Sequence, residues 1–296
     1  MIRDLLNIAT PFLLASIGGL FTELAGALNI ALEGMMLTGA FFAVLGVHVS
    51  GSLLFGLFLG VSAGLAMAAL FSVSSFSLKA NIFVVGLGTN LLALGFVQIV
   101  SEGVFGTKGV IRLTRTLGRV ELPFIHSFPV LGDLLSGHTV ITYSAWLLAL
   151  IAWYVIRHTP FGLALRSAGL DSSVLHIRGK NPVTYRWSAL LISGAFSGLA
   201  GSAISLGLGA YVPNISSGRG WIALVAIYLG YRRPIGVAIA CVVFAGAELF
   251  ANSAQGWIGL PPTITLSFPY FITVISLIAV ALGKKLRSIR SSRDLR

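Results

Sequence analysis

Charge is what this 296-residue chain has least of. Only 10% of its residues are Asp, Glu, Lys or Arg and 56% are hydrophobic, whereas about a quarter of a soluble globular domain is charged. From residue 5 to 100 the charged residues are Glu23, Glu33 and Lys79. An apolar stretch of that length is far too long for a soluble core, so lipid is its solvent. The runs are continuous and do not alternate, which excludes an outer-membrane barrel. The single cysteine, Cys241, lies in an apolar run and excludes an internal disulfide or a cysteine-cluster metal site. The histidines, His48, His126, His138, His158 and His176, are scattered over loops and span ends, with no HExxH. A phosphate loop ending in Gly-Lys-Ser/Thr is missing too, so the chain has no means of its own to hydrolyse ATP.

Positive charge is present, but in particular places. The formal net charge is +11, and eleven of the 20 basic residues fall in two stretches, 157–186 and 284–296. Lys and Arg gathered beside membrane ends mark the cytoplasmic side, and such a tail also attracts anionic lipid headgroups. No basic helix interleaved with aromatics and no zinc-finger spacing occurs, so nucleic acid is not an expected partner. The first apolar run contains Pro11, is followed by Glu23 and continues into further spans; it reads as a retained helix and not as a cleaved signal.

With about 20 apolar residues per crossing, the chain is expected to be an all-α, polytopic transmembrane bundle of about nine spans, within a range of eight to ten. They are placed at 5–27, 30–49, 53–73, 82–100, 140–156, 187–208, 220–230, 235–250 and 266–282. An odd count with a cytoplasmic C-terminus puts the N-terminus outside. Residues 1–296 then form a single transmembrane domain. It has an extracytoplasmic loop at 101–138, a basic cytoplasmic loop at 157–187 and a basic cytoplasmic tail at 284–296. The first loop places Lys108, Arg112, Arg115 and Arg119 outside, against the usual bias, which is weak for longer loops. Its Pro and Gly clusters indicate irregular structure with a short surface helix. In the second loop, Pro160 and Gly162 are expected to break the preceding helix. One turn then follows over 163–167, and a second short helix is capped by Ser172 and Ser173.

The polar residues inside the spans are the candidates for function. A carboxylate at membrane depth costs about 2.5–3.5 kcal/mol on insertion scales, so Glu33 needs a partner or a task. Asn29, four residues earlier, would share a helical face with it, giving an amide and a carboxylate suited to a hydroxylated solute. Equally, Glu33 can pair internally or cap a broken helix. Asn81, Asn90 and Gln98 lie on one span, the last two roughly on one face. Uncharged amides there suit a neutral polar solute, or simply hold helices together. Glu248 and Asn252 repeat the carboxylate and amide spacing on a later span. Arg219 is expected to snorkel at the outer interface. Phe41, Phe96 and Phe105 offer rings to stack a base, or are core. Ala25-GALNIALEG and Ser216-SGRGWIALVAIYLG echo one another, each putting small polar residues at the mouth of an apolar segment. Interrupted segments in corresponding places are a pointer to a transporter's binding site.

Four stretches resemble a known family: Ala27-LNIALEGMMLTGAFF, Pro160-FGLALRSAGLDSSVLHIRG, Ser193-GAFSGLAG and Ser217-GRGWIALVAIYLGYRRPIG. They look like the membrane permease subunits of bacterial ABC importers, in the branch of ribose and other simple-sugar, nucleoside and branched-chain amino acid permeases. The form "LNIALEGMML" is most similar to the nucleoside and simple-sugar members, where ribose permeases read more like "GIDLSVGS". The resemblance implies a helical importer subunit of the cytoplasmic (inner) membrane that pairs with a second permease, a paralogue or another copy of itself. It further implies two cytoplasmic ATPase subunits, which would carry ATP and Mg while this chain binds no cofactor, and an extracytoplasmic solute-binding protein. It assigns the ATPase-coupling positions to Gly162, Leu165, Arg166, Ala168 and Gly169. Two departures stand out. Ser167-AGLDSSVL replaces a usual "RAVGENPxAA", and Tyr231-RRPIG replaces "GRxNPxG" without its Asn.

The expected function is thus a translocation subunit, not an enzyme. Nucleosides lead as cargo, ahead of simple sugars and branched-chain amino acids, and the pathway is expected to use Asn29, Glu33, Asn90, Gln98, Glu248 and Asn252. The competing class is an ion-coupled secondary transporter with Glu33 and Glu248 as proton sites. An intramembrane enzyme would need a paired nucleophile and base that the sequence does not supply.

Overall fold

Long apolar segments without internal polar breaks leave the backbone one way to satisfy itself in lipid, which is to bond within helices. The structure, a computed structural model, describes residues 2–121 and 136–258. Its helices are α1 (Ile2–Leu24), α2 (Leu32–Ser50), α3 (Leu53–Ser72, ending in a π turn, Val73–Ser77), α4 (Ile82–Phe105) and α5 (Val140–His158). They continue with α6 (Pro160–Leu170), α7 (Ser173–Ile177), α8 (Pro182–Leu208), α9 (Arg219–Leu229) and α10 (Pro234–Ile258). Among the described residues seven helices are long and apolar enough to cross a membrane, and α9 is a shorter apolar one. Eight of the nine expected spans are therefore helices, with ends moved by a few residues. The ninth, 266–282, lies outside the described residues, as does the basic tail at 284–296.

Burial sorts the helices into two layers. In α1 and α2, 78% and 72% of the most apolar window is buried, and in α8 it is 61%. These three form the centre. The outer helices α3, α4 and α5 fall to 28%, 28% and 33%, with α10 at 39%. α1 packs on α5, α8, α9 and α10, while α2 lies between α3 and α8. A seam of glycines lets α2, α3 and α8 approach closely: Gly39 on α2, Gly60 and Gly64 on α3, and Gly194, Gly198 and Gly201 on α8. A Cβ on Gly201 would run into the carbonyl oxygen of Met36, and one on Gly39 into the backbone of Gly198. Lipid tails are as apolar as leucine, so close packing and not hydrophobic expulsion holds such helices together.

The connections separate to two ends of the bundle. At one end, the start of α1 meets the start of α5, where Thr142 Oγ1 donates to Asn7 Oδ1. Arg115 there donates to the carbonyl of Gly51 in the α2–α3 turn. Two antiparallel pairs of two-residue strands tie down the described part of the 101–138 segment. β1 (Ile111–Arg112) pairs with β4 (Ala210–Tyr211), and β2 (Arg119–Val120) with β3 (His138–Thr139). The surface helix expected in this loop is not among residues 101–121 and 136–138; residues 122–135 lie outside the described part. At the opposite end sit the α3–α4 turn, α6, α7 and the α9–α10 turn, beside the end of α1.

The basic loop differs from expectation. α6 is a single helix of 11 residues, not one turn, because Pro160 occupies its first position. There the missing N–H costs nothing and the fixed φ suits a helix. Thr159 caps it through Gly162 N–H. α7 is capped not by Ser172 but by Asp171, whose Oδ1 accepts from the N–H and the hydroxyl of Ser173. Those two bonds, the hydroxyl's first, hold the Asp171 carboxyl below the usual carboxylate range.

The seam makes a prediction. Gly201→Ala should destabilise the folded protein by roughly 1–3 kcal/mol, read as a lower melting temperature in detergent. Gly88→Ala, on an open face of α4 with nothing within 4 Å, should leave it unchanged.

Candidate functional site

Two helices begin against other helices of the bundle, and both begin badly capped. α2 starts after Ala31 and α9 after Gly218, and neither residue has a side chain that caps. A helix start leaves its first N–H groups without partners, and lipid supplies none. Other helices provide the caps. Asn90 on α4 accepts from Gly34 N–H through Oδ1 at 2.8 Å and donates through Nδ2 to the Ile30 carbonyl at 3.0 Å, gripping the start of α2. Glu33, in the first turn of α2, sends Oε1 to Gly218 N–H and Oε2 to Gly220 N–H, each at 2.7 Å, gripping the start of α9. The two short motifs that echo one another in the sequence are thus the mouths of two half-helices, and they meet.

Magnitudes decide what Glu33 does. Hydrogen bonds to a charged group contribute about 1.5–3 kcal/mol each, so two of them offset the 2.5–3.5 kcal/mol cost of the carboxylate at depth. The positive end of the α9 dipole adds to this. Glu33 is a helix cap.

Asn29 and Glu33 do not share a helical face, because α2 begins only at Leu32. Asn29 is buried in the preceding turn, where Oδ1 accepts from Ala31 N–H and Nδ2 donates to Ser193 Oγ at 2.9 Å. Asn81 is the cap of α4. Asn90 is buried, but Gln98, two turns on, is exposed. Glu248 pairs with Arg219 at 2.5 Å and is half-buried with it, so Arg219 is an ion-pair partner. Asn252, one turn beyond Glu248, is exposed. Glu23 is held by Arg232 at 2.8 Å and by the hydroxyl of Tyr228 at 3.0 Å. Phe41 is fully buried, in edge contact with Phe105 and Tyr211, while Phe96 stacks on Phe42. Phe41, Phe42, Phe105 and Tyr211 belong to a packed cluster at the α2–α4 contact, whereas Phe96 is exposed.

The two capped starts open on a cleft of about 640 Å³ between α2, α4 and α9. Leu37, Leu87, Leu91 and Leu94 form its apolar wall, and Glu33, Asn90, Asn214 and Ser217 its polar floor. Trp221, in the first turn of α9, lies at its edge and is 41% exposed. Sequence reasoning found Glu33 and Asn90 but missed Asn214, Ser217 and Trp221. The available signal was the second half of the echo, where Trp221 follows Gly218-Arg-Gly directly. A separate polar cleft of about 390 Å³ contains Asp4, Asn7, Arg119, Thr142, Arg219 and Glu248. The expected pathway residues are therefore divided. Glu33 and Asn90 line the larger cleft and Glu248 the smaller, whereas Asn29 supports the α2 start from behind.

The coupling positions also divide. Gly162, Leu165 and Ala168 face inward, and Arg166 folds back on the carbonyl of Gly162. Gly169 lies so close to Gly26 that a Cβ would strike the Leu24 carbonyl. Arg186 reinforces this contact by donating to the carbonyls of Ala25 and Ala168. The outward face is made instead by Leu163, Leu170, Val174 and Ile177, with Leu170 89% and Ile177 85% exposed.

Residues 1–280 match the family described as branched-chain amino acid transport system / permease component. The chain is 30% identical over 295 residues to the nucleoside ABC transporter permease protein NupC of Lactococcus lactis, covering 96% of this chain and 92% of the relative. It is 32% identical over 288 residues to the guanosine ABC transporter permease protein NupQ of Bacillus subtilis, covering 91% and 88%. Among solved structures, an inward-facing metal-chelate type ABC transporter matches with a TM-score of 0.55 at 16% identity, over 92% of this chain and 84% of the other. That last likeness is one of fold.

Glu33→Gln keeps the size of the side chain but replaces one acceptor by a donor. It should lower the melting temperature of the solubilised protein, at a cost of about 1–3 kcal/mol for the stranded N–H. Gln98→Ala should not. An unchanged melting temperature for Glu33→Gln would show that the cap does not hold α9.

Proposed function

Because the chain belongs to the family of permease components of branched-chain amino acid transport systems, we propose that it is the membrane-spanning subunit of an ATP-driven importer that carries a nucleoside across the bacterial cytoplasmic membrane. The names of its relatives support the cargo. The observation that carries the reading is the cleft, which sets a leucine wall against a floor of amide, hydroxyl and carboxylate groups, the two surfaces that a base and a sugar need. A simple sugar is the second reading, since the polar floor alone would serve it.

In this reading the bundle has nine crossings, with the N-terminus outside and the end bearing α6 and α7 in the cytoplasm. A second permease closes the open side of the cleft along the exposed face of α4. An extracytoplasmic binding protein delivers the cargo to the end bearing the strand pairs. ATP and Mg act on two ATPase subunits, and this chain holds neither. Leu163, Leu170, Val174 and Ile177 form the apolar patch that seats on an ATPase. Movement there passes through the Gly169–Gly26 contact to the end of α1, and through Glu23 to Tyr228 and Arg232 at the far end of α9. α9 is a stiff rod of 11 residues, so a shift at Arg232 moves Trp221 and the Glu33 cap as one body.

An ion-coupled mechanism fits less well. Both carboxylates are engaged within the fold, Glu33 by two backbone N–H groups and Glu248 by Arg219. The test is uptake of radiolabelled adenosine, uridine, ribose and leucine in cells with and without the chain, under ATP depletion and under protonophore. Nucleoside uptake should require the chain and fail on ATP depletion. Failure under protonophore alone would overturn the importer. Leu170→Asp should lower uptake at least roughly tenfold with the chain still in the membrane, as expected for an anchor at an interface centre. Normal transport by that variant would remove the patch from the ATPase contact.

A further inference from the structure

The cleft contains three features that capping and packing leave unused. Trp221 is 41% exposed although it lies in an apolar segment, so its indole face is not consumed by the core. Asn214 uses its backbone carbonyl on the N–H and hydroxyl of Ser217, and its exposed side-chain amide lines the cleft. The backbone between them is strained. Asn214 and Ser217 both adopt left-handed φ, 56° and 44°, though neither is glycine. Such conformations cost of order 1–3 kcal/mol each and persist where the surroundings impose them, most often at ligand sites. Here the strained turn runs from β4 to α9 and presents an amide and an indole to the same space, beside the Glu33 carboxylate.

We propose that Trp221 and Asn214 form a nucleobase subsite in this cleft. This inference rests on the nucleoside reading and sharpens it. The indole stacks on the flat face of the base. The amide, a donor and an acceptor side by side, bonds the edge of the base, and the sugar lies toward the Glu33 and Ser217 side. A free sugar has no flat face for Trp221 and no edge for the amide, so the subsite separates a nucleoside from a sugar within one pathway. Leu87, Leu91 and Leu94 on α4 offer the other face of the base an apolar surface.

The experiment measures initial rates of adenosine, uridine and ribose uptake in cells whose own copy of the gene is replaced by wild type, Trp221→Phe, Trp221→Leu, Trp221→Ala or Asn214→Ala, with membrane abundance of the tagged chain followed in parallel. Loss of a base-stacking ring should lower nucleoside uptake roughly tenfold in Trp221→Ala and in Trp221→Leu, which keeps apolar bulk without a flat face. Trp221→Phe should stay within about twofold of wild type, and Asn214→Ala should fall severalfold with a change in preference between adenosine and uridine. Nucleoside uptake by Trp221→Leu at the wild-type rate would overturn the subsite. So would loss of all three Trp221 variants from the membrane, which would make the residue structural or part of the contact with the second permease. Wild-type cells that take up ribose but no nucleoside would overturn the functional reading itself, and the subsite with it.

Discussion

Everything near the cleft depends on helix starts that lack a capping side chain of their own and are capped by side chains from elsewhere in the fold. A half-helix whose first N–H groups face hydrocarbon is not viable by itself. α2 and α9 are both of this kind, and they are joined in series: Asn90 on α4 holds the start of α2, and Glu33 at the start of α2 holds the start of α9. Two of the four polar groups on the floor of the cleft, the Glu33 carboxylate and the Asn90 amide, are the ones that this needs. Structural satisfaction and part of the polar lining therefore arise from the same residues. A carboxylate in the middle of a lipid-solvated protein is here a solution to a backbone problem, and its place in the cleft lining follows from that.

The rest of the bundle keeps those starts in place while leaving the opposite ends of the helices responsive. The glycine seam between α2, α3 and α8 brings backbones so close that a single methyl group cannot be inserted at Gly201 or Gly39, which fixes the position of α2. α9 is different. It is short, it is bound at its start by two hydrogen bonds and at its far end by the Glu23, Tyr228 and Arg232 cluster, and it turns sharply into α10. The cluster lies beside the contact between α1 and α6. An element gripped at both ends and stiff between them couples the α1–α6 end of the bundle to the cleft, the transmission that the proposed function needs.

Much of the fold was legible because membrane helices are written in long apolar runs, and each expected span that falls in the described residues is a helix. The loop at 157–187 was legible in kind but not in detail, since Pro160 both ends one helix and starts the next. The site was less readable. Spacing on an ideal helix put Asn29 beside Glu33, but the helix begins at Leu32 and Asn29 turns away to Ser193. The same logic paired Asn90 with Gln98, and only Asn90 points inward. Which partner a carboxylate finds across 185 residues of chain, as Glu33 finds Gly218, is a tertiary fact that local periodicity does not encode. The echo between the two segment mouths was the one sequence signal that anticipated the meeting. Trp221 passed unnoticed because a tryptophan in an apolar run looks like core until its exposure is known.

The central claim is that the cleft between α2, α4 and α9 conducts the cargo. Cys241 is fully buried, so an introduced thiol can be followed in an otherwise unreactive chain. The direct measurement is the rate at which a membrane-impermeant maleimide labels Leu91→Cys in the assembled transporter, with and without nucleoside and with the ATPase cycling or arrested. The account predicts labelling that nucleoside slows, ribose leaves alone and arrest of the ATPase switches from one side of the membrane to the other. A labelling rate indifferent to both nucleoside and ATPase state would place the pathway elsewhere.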